Sequence, residues 1–184
     1  MENYQQIIRK DLIIIKFSDI PQFTKEGSYQ VNMPLTYYVK WVKENIAECG
    51  LQLNPDFQRG HVWTEKQQIA YIEFLLQGGR SGKAIYFNCP NWNLGCREGD
   101  FVCVDGLQRT TAIMRFIDNE IPAFGTYYKD FEDKFPFEVD VLVNINDLKT
   151  KKEVLKWYVE MNEGGTPHTE EEIQKVKEMI KNEK

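Results

Sequence analysis

The sequence predicts an α+β fold, with a small mixed sheet and flanking helices in a single domain spanning 1–184. Short apolar, β-branched runs and amphipathic stretches follow one another in irregular order, which does not suit a doubly wound sheet. Helix starts and stops are written in the local chemistry, as capping boxes and glycines. The 184 residues are 42% hydrophobic and 28% charged, enough to bury one core, and no repeat, low-complexity tract or linker divides them.

Leu12–Phe17 reads as a first strand, and a Pro/Gly-bearing irregular segment runs on to Tyr29. Pro34 to Cys49 fits a helix with Leu35, Tyr38, Val39, Val42 and Ile46 on one face and Gly50 as its stop. Asn54 to Gly60 is a loop. Thr64-Glu-Lys-Gln67 is a capping box, and Ile69, Ile72, Leu75 and Leu76 follow at helical spacing until Gly78-Gly79. Ala84–Asn88 is a strand, and a Gly/Asn/Trp-rich segment leads into Phe101. Val102 and Val104 form the next strand, ended by a turn at Asp105-Gly106. Ala112, Ile113, Phe116 and Ile117 then repeat as a helix face. Phe137 to Asn144 alternates as a strand, Lys151 to Met161 fits a helix, and Thr169 to Glu172 is a second capping box that opens a terminal helix.

No apolar run approaches a membrane span, and no secretory leader is visible, so a cytoplasmic protein with no membrane partner is expected. Cys49, Cys89, Cys96 and Cys103 form no CxxC pair; Cys89, Cys96 and Cys103 are evenly spaced but match no zinc pattern, and reduced thiols are expected. The net charge of −5 argues against extended nucleic-acid binding over the whole surface. Every arginine lies at or before Arg115, whereas the C-terminal third carries only lysine.

Three polar segments carry the candidate chemistry. In Phe101 to Phe116 the strand-to-helix turn sets Gln108 and Arg109 in the first turn of a helix, where backbone N–H groups and the positive dipole end attract anions. A positive side chain there opposes the dipole, and an anionic ligand would reverse that penalty. Pairing of Arg109 with Asp105 or another carboxylate as a structural tie is equally open. In Asp56 to Trp63, the apolar Phe57, Val62 and Trp63 would pin a loop and give Gln58, Arg59 and His61 a fixed geometry. Tyr158 to Thr169 is a helix stop, a Gly-Gly turn and a new helix start whose amides could border a ligand. By contrast, Gly78-Gly-Arg-Ser-Gly82-Lys83 is not a P-loop: Gln77 stands where glycine is needed, Ala84 where Ser or Thr is needed, and the segment follows a helix.

Taken together these segments resemble the N-terminal domain of GmrSD-type modification-dependent restriction endonucleases and related phage-defence proteins, of the ParB/sulfiredoxin-like superfamily. The resemblance rests on Pro55-Asp-Phe57-Gln58-Arg59-Gly-His-Val62-Trp63, on Asp105-Gly106-Leu-Gln108-Arg109-Thr-Thr111, and on Asn162-Glu-Gly164-Gly165-Thr166-Pro-His168-Thr169, in the family's order over roughly residues 10 to 180. It implies a compact ParB-like fold whose Asp-Gly-x-Gln-Arg turn binds nucleotide phosphates. It also implies a link to nucleoside-triphosphate hydrolysis and, in restriction systems, to DNA nicking or cleavage. Asp105, Gly106, Gln108 and Arg109 carry over to the phosphate turn, with Gln58 and Arg59 converging on it. Leu107 replaces the first glutamine of that turn.

The expected activity is therefore nucleoside-triphosphate hydrolysis or a nucleotide-gated switch, with Arg109 and the helix amides holding phosphate charge and Mg²⁺ as a candidate cofactor. Asp105 would orient a water or Mg²⁺, or cap the helix, and His61 would act as an acid or base. A DNA-nicking nuclease, alone or in a two-part restriction system, would need a metal held by Asp56, Glu73 and Asp105. A non-catalytic module or decoy that binds DNA or a restriction-system protein is the third reading. The chain ends before the region where fused relatives place a His-Asn-His-type nuclease, and no such metal motif is present, so it is not expected to cut DNA by itself.

Overall fold

The computed structural model describes residue 20 and residues 29–58, 60, 62–92, 101–163 and 170–182. The strand expected at Leu12–Phe17 and the cap expected at Thr169 lie outside them. Four strands, β1 (Tyr29–Pro34), β2 (Ala84–Asn88), β3 (Val102–Asp105) and β4 (Asp140–Asn146), form one mixed sheet in the order β1-β4-β2-β3. β1 runs antiparallel to β4, β4 parallel to β2, and β2 antiparallel to β3. The helices are α1 (Leu35–Cys49), α2 (Glu65–Leu76), α3 (Leu107–Ile117), α4 (Lys151–Glu163) and α5 (Glu170–Asn182). This is the α+β architecture that the irregular order of elements predicts.

The sheet separates two apolar cores, and β3 shows how. Its alternation sends Cys103 into a core with Leu35, Tyr38, Ile72, Ile113 and Phe116 from α1, α2 and α3. Val104 points the other way, into a second core with Leu155, Trp157 and Tyr158 of α4 and Val176 of α5. Aromatic rings of α1, β2 and the segment entering β3 interlock in the first core: Trp41 meets Phe87 edge-on at 5.3 Å and Phe101 at 5.8 Å.

Local chemistry sets the helix ends. Thr64 and Gln67 close the capping box that starts α2. Gly50 ends α1 in the left-handed conformation at φ 63°. Ile46, placed on the buried face of α1 by spacing, is instead 40% exposed; the fully buried side chains of the helix end at Val42. The strand expected over Phe137–Asn144 begins only at Asp140 and runs to Asn146; Phe137 is exposed, and Leu35 N–H ties Val139 O just before the strand. β1 was not separable from the irregular segment before it. Two corrections concern polar groups. Asp105 does not cap α3, because Gly106 occupies the N-cap position and no side chain caps that end. The thiols are not all reduced: Cys49 is disulfide-bonded, while Cys89 and Cys103 are buried thiols outside any disulfide.

Candidate functional site

The site begins at Gly106. Its φ of 118° is a left-handed backbone conformation, and a Cβ built there would meet Ile85 Cγ2 at 2.7 Å. Only glycine lets the chain leave β3, pass over β2 and enter α3 at once. That abrupt entry puts Leu107, Gln108 and Arg109 in the first helical turn. Leu107 is buried and the two polar side chains are partly covered.

The described residues between Leu51 and Trp63 lie along the outer side of β3. Gln52 N–H donates to Phe101 O, and Cys103 N–H donates to Gln52 O, each at 2.9 Å, so the segment bridges the strand like a short parallel neighbour. Beyond that bridge the loop straddles the sheet. Phe57 packs edge-on against Tyr158 in the second core, whereas Trp63 packs edge-on against Tyr71 beside the first. Val62, expected as a third anchor, is 51% exposed; its backbone rather than its side chain is held.

Two glutamines lock the loop to the turn, each reaching the other segment's backbone. Gln58 Nε2 donates to Cys103 O at 2.5 Å. Gln108 Oε1 accepts from Val62 N–H and Trp63 N–H at 3.0 Å each, and Gln108 Nε2 donates to Gly60 O at 2.8 Å. This reciprocal stitch engages the side-chain amides of Gln58 and Gln108, which the family resemblance places at the phosphate turn, in holding the loop against that turn. Arg59 and His61 lie outside the described residues, but their chain neighbours are fixed beside Cys103 and Gln108.

Arg109 is the charged group at the centre of this construction. Its Nη2 donates to Asp105 Oδ2 at 2.7 Å, so the structural tie is formed. That single carboxylate does not satisfy the guanidinium: Nε is buried and has no hydrogen-bond partner among the described residues. Arg109 also lies near the Tyr71 hydroxyl, which burial pushes up to about 12 against the lowering effect of the guanidinium. Cys103 is held at about 12, by burial first and by Asp105 second, so it stays a neutral thiol at physiological pH. Thr110, the next residue of α3, bonds the buried Tyr38 hydroxyl at 2.7 Å and anchors the helix to α1.

The three carboxylates considered for a metal do not converge. Asp56 pairs with Lys151 Nζ at 2.9 Å, Glu73 accepts Phe124 N–H at 2.8 Å, and Asp105 holds Arg109. Among the described residues no group of three His, Cys, Asp or Glu side chains could hold a metal ion. None of the described helices is long and apolar enough to cross a membrane.

The family profile described as GmrSD restriction endonuclease, N-terminal domain, matches residues 40–141, from α1 to the start of β4. The chain belongs to this family. The matched span contains both the loop ending at Trp63 and the β3–α3 turn, the two segments that the glutamines join. The Asn162–Thr169 segment lies beyond it. No curated protein and no solved structure matches the chain. The family gives this GmrSD N-terminal domain a role related to restriction endonucleases. The stitch between Gln58 and Gln108 was the feature that sequence reasoning missed, since both side chains bind backbone atoms more than forty positions away.

Proposed function

We propose that this GmrSD N-terminal domain binds the phosphates of a nucleoside triphosphate at the start of α3, and that binding gates or accompanies its hydrolysis in a phage-defence or counter-defence setting. One observation carries the reading: Arg109 sits at a helix N-terminus without a side-chain cap, against the dipole, and among the described residues it has one carboxylate partner and a buried Nε without a hydrogen bond. A phosphate arriving there would compensate the dipole, complete the guanidinium's hydrogen bonding and compete with Asp105 for Nη2. The Asp105–Arg109 pair is thus the closed form of a switch, and the anion opens it.

The stitched glutamines serve this chemistry by holding the receptor rigid before the ligand arrives, which lowers the cost of binding. Mg²⁺ would be brought by the triphosphate itself, and Asp105 is the competitor that the phosphate displaces from Arg109. Dispersal of Asp56, Glu73 and Asp105 favours nucleotide turnover over DNA cleavage. The test is a thermal-shift series over the nucleoside triphosphates with and without Mg²⁺, followed by phosphate release. At a hundred times its dissociation constant a ligand adds about 2.7 kcal/mol to stability. No shift with any nucleotide, in protein that is folded and cooperative, rejects the proposal.

A further inference from the structure

The segment after α3 has features that phosphate binding does not use. Phe124 adopts φ 50°, and among the described residues it is the only side-chain-bearing residue other than asparagine in the left-handed region. It is followed by Gly125 at φ 77°, which makes a tight turn whose central pair is normally Asn-Gly or Gly-Gly. A bulky ring in that conformation is strained, and strain of this kind persists where the surroundings enforce it.

The enforcement is visible. Ala123 and Thr126 exchange two backbone hydrogen bonds of 2.9 Å, and Phe124 N–H donates to Glu73 Oε1 on α2 at 2.8 Å. These bonds hold the ring outward, where it is 57% exposed and stacks on no other ring among the described residues. The fold therefore gains little from phenylalanine here. Tyr127 and Phe131, a few residues on, are also exposed aromatics. From Asp118 to Glu138 the chain carries six carboxylates and two lysines. Asp118 and Glu120 are paired, to Lys43 and Arg115, but Asp130, Glu132 and Asp133 are exposed and have no ion pair among the described residues.

We infer that the Ala123–Thr126 turn and the acidic segment behind it form a docking surface for a basic, aliphatic-bearing segment of a protein partner. Lysine or arginine would meet both the aromatic faces and the carboxylates, and apolar side chains would cover Phe124. The same carboxylates repel a phosphodiester backbone, which sets nucleic acid aside as the occupant.

The experiment uses the full chain and a labelled twelve-residue peptide of alternating lysine and leucine, followed by fluorescence anisotropy. An otherwise identical glutamate-leucine peptide and a single-stranded oligonucleotide serve as comparison probes. Phe124→Asn, which creates the favoured Asn-Gly turn, should melt a few degrees higher and bind the lysine peptide about tenfold more weakly. Combined Asp130→Asn, Glu132→Gln and Asp133→Asn should weaken binding similarly. The inference is overturned if Phe124→Asn melts lower, if it and the charge variant bind the lysine peptide as the parent does, if the glutamate peptide binds equally well, or if the oligonucleotide binds through Phe124.

Discussion

Arg109 and Arg115 stand six residues apart on the same helix and have opposite physical situations. Arg115 is at the C-terminal end of α3, where a cation complements the dipole. It donates to Glu65 at 3.0 Å, to Glu120 at 3.0 Å and to the buried Gln68 at 2.8 Å. Hydrogen bonds and charge from Glu65 and Glu120 raise its pKa further. Arg109 opposes the dipole, has one carboxylate and leaves Nε buried without a partner among the described residues. An arginine saturated by the fold is an element of the fold. An arginine that the fold holds but does not satisfy is where a ligand's charge has most to gain.

The comparison depends on α3 starting where it does, and Gly106 decides that. Gly106→Ala would force a Cβ onto Ile85 and occupy φ 118°, so the variant should lose about 3 kcal/mol. Denaturant melts check this. A loss below about 1 kcal/mol would mean that the turn can be rebuilt and that Arg109 is less fixed than the geometry implies.

Removing the satisfied arginine is the next largest test. Arg115→Ala leaves Gln68 Oε1 without the cation it accepts from, inside a residue that is 3% exposed. The expected cost is about 1–2 kcal/mol of stability, chiefly from that orphaned acceptor, since the two carboxylates are largely exposed. Nucleotide affinity in the folded variant should not change. A smaller effect sharpens the distinction: Asp105→Asn removes the competitor of a bound phosphate. Stability should fall by less than about 0.5 kcal/mol, as for other half-exposed i,i+4 pairs. Triphosphate affinity, read by thermal shift, should rise about three- to tenfold. A fall would instead assign Asp105 to the bound complex.

Much of this was legible in the sequence, and the exceptions have physical causes. The α2 capping box, the Gly50 stop and the β3–turn–α3 passage are short-range chemistry, readable from neighbouring residues. β1 escaped although Tyr29, Val31 and Met33 alternate with Gln30 and Asn32, because the run is short, is nowhere fully buried, and is an edge strand stabilised mainly by its register with β4. Asp105 looked like a cap because its type and place suit one. Gly106 displaces it by one residue, and the carboxylate meets Arg109 instead. Within the site, the positions of Gly106 and Arg109 were readable, but what Gln58 and Gln108 bind was not. A glutamine amide gives no sequence signal for a backbone partner brought up by tertiary folding.

The claim that Arg109 is the receptor and Arg115 the strut is tested most directly by calorimetric titration of a nucleoside triphosphate, with Mg²⁺, into the parent protein, Arg109→Ala and Arg115→Ala. A charge-assisted contact is worth about 1.5–3 kcal/mol, so Arg109→Ala should bind roughly ten- to a hundredfold more weakly. Arg115→Ala should bind as the parent does at a temperature where both variants are folded. Equal affinities for all three proteins, or an equal loss in both variants, would contradict the account and leave Arg109 as a second structural tie.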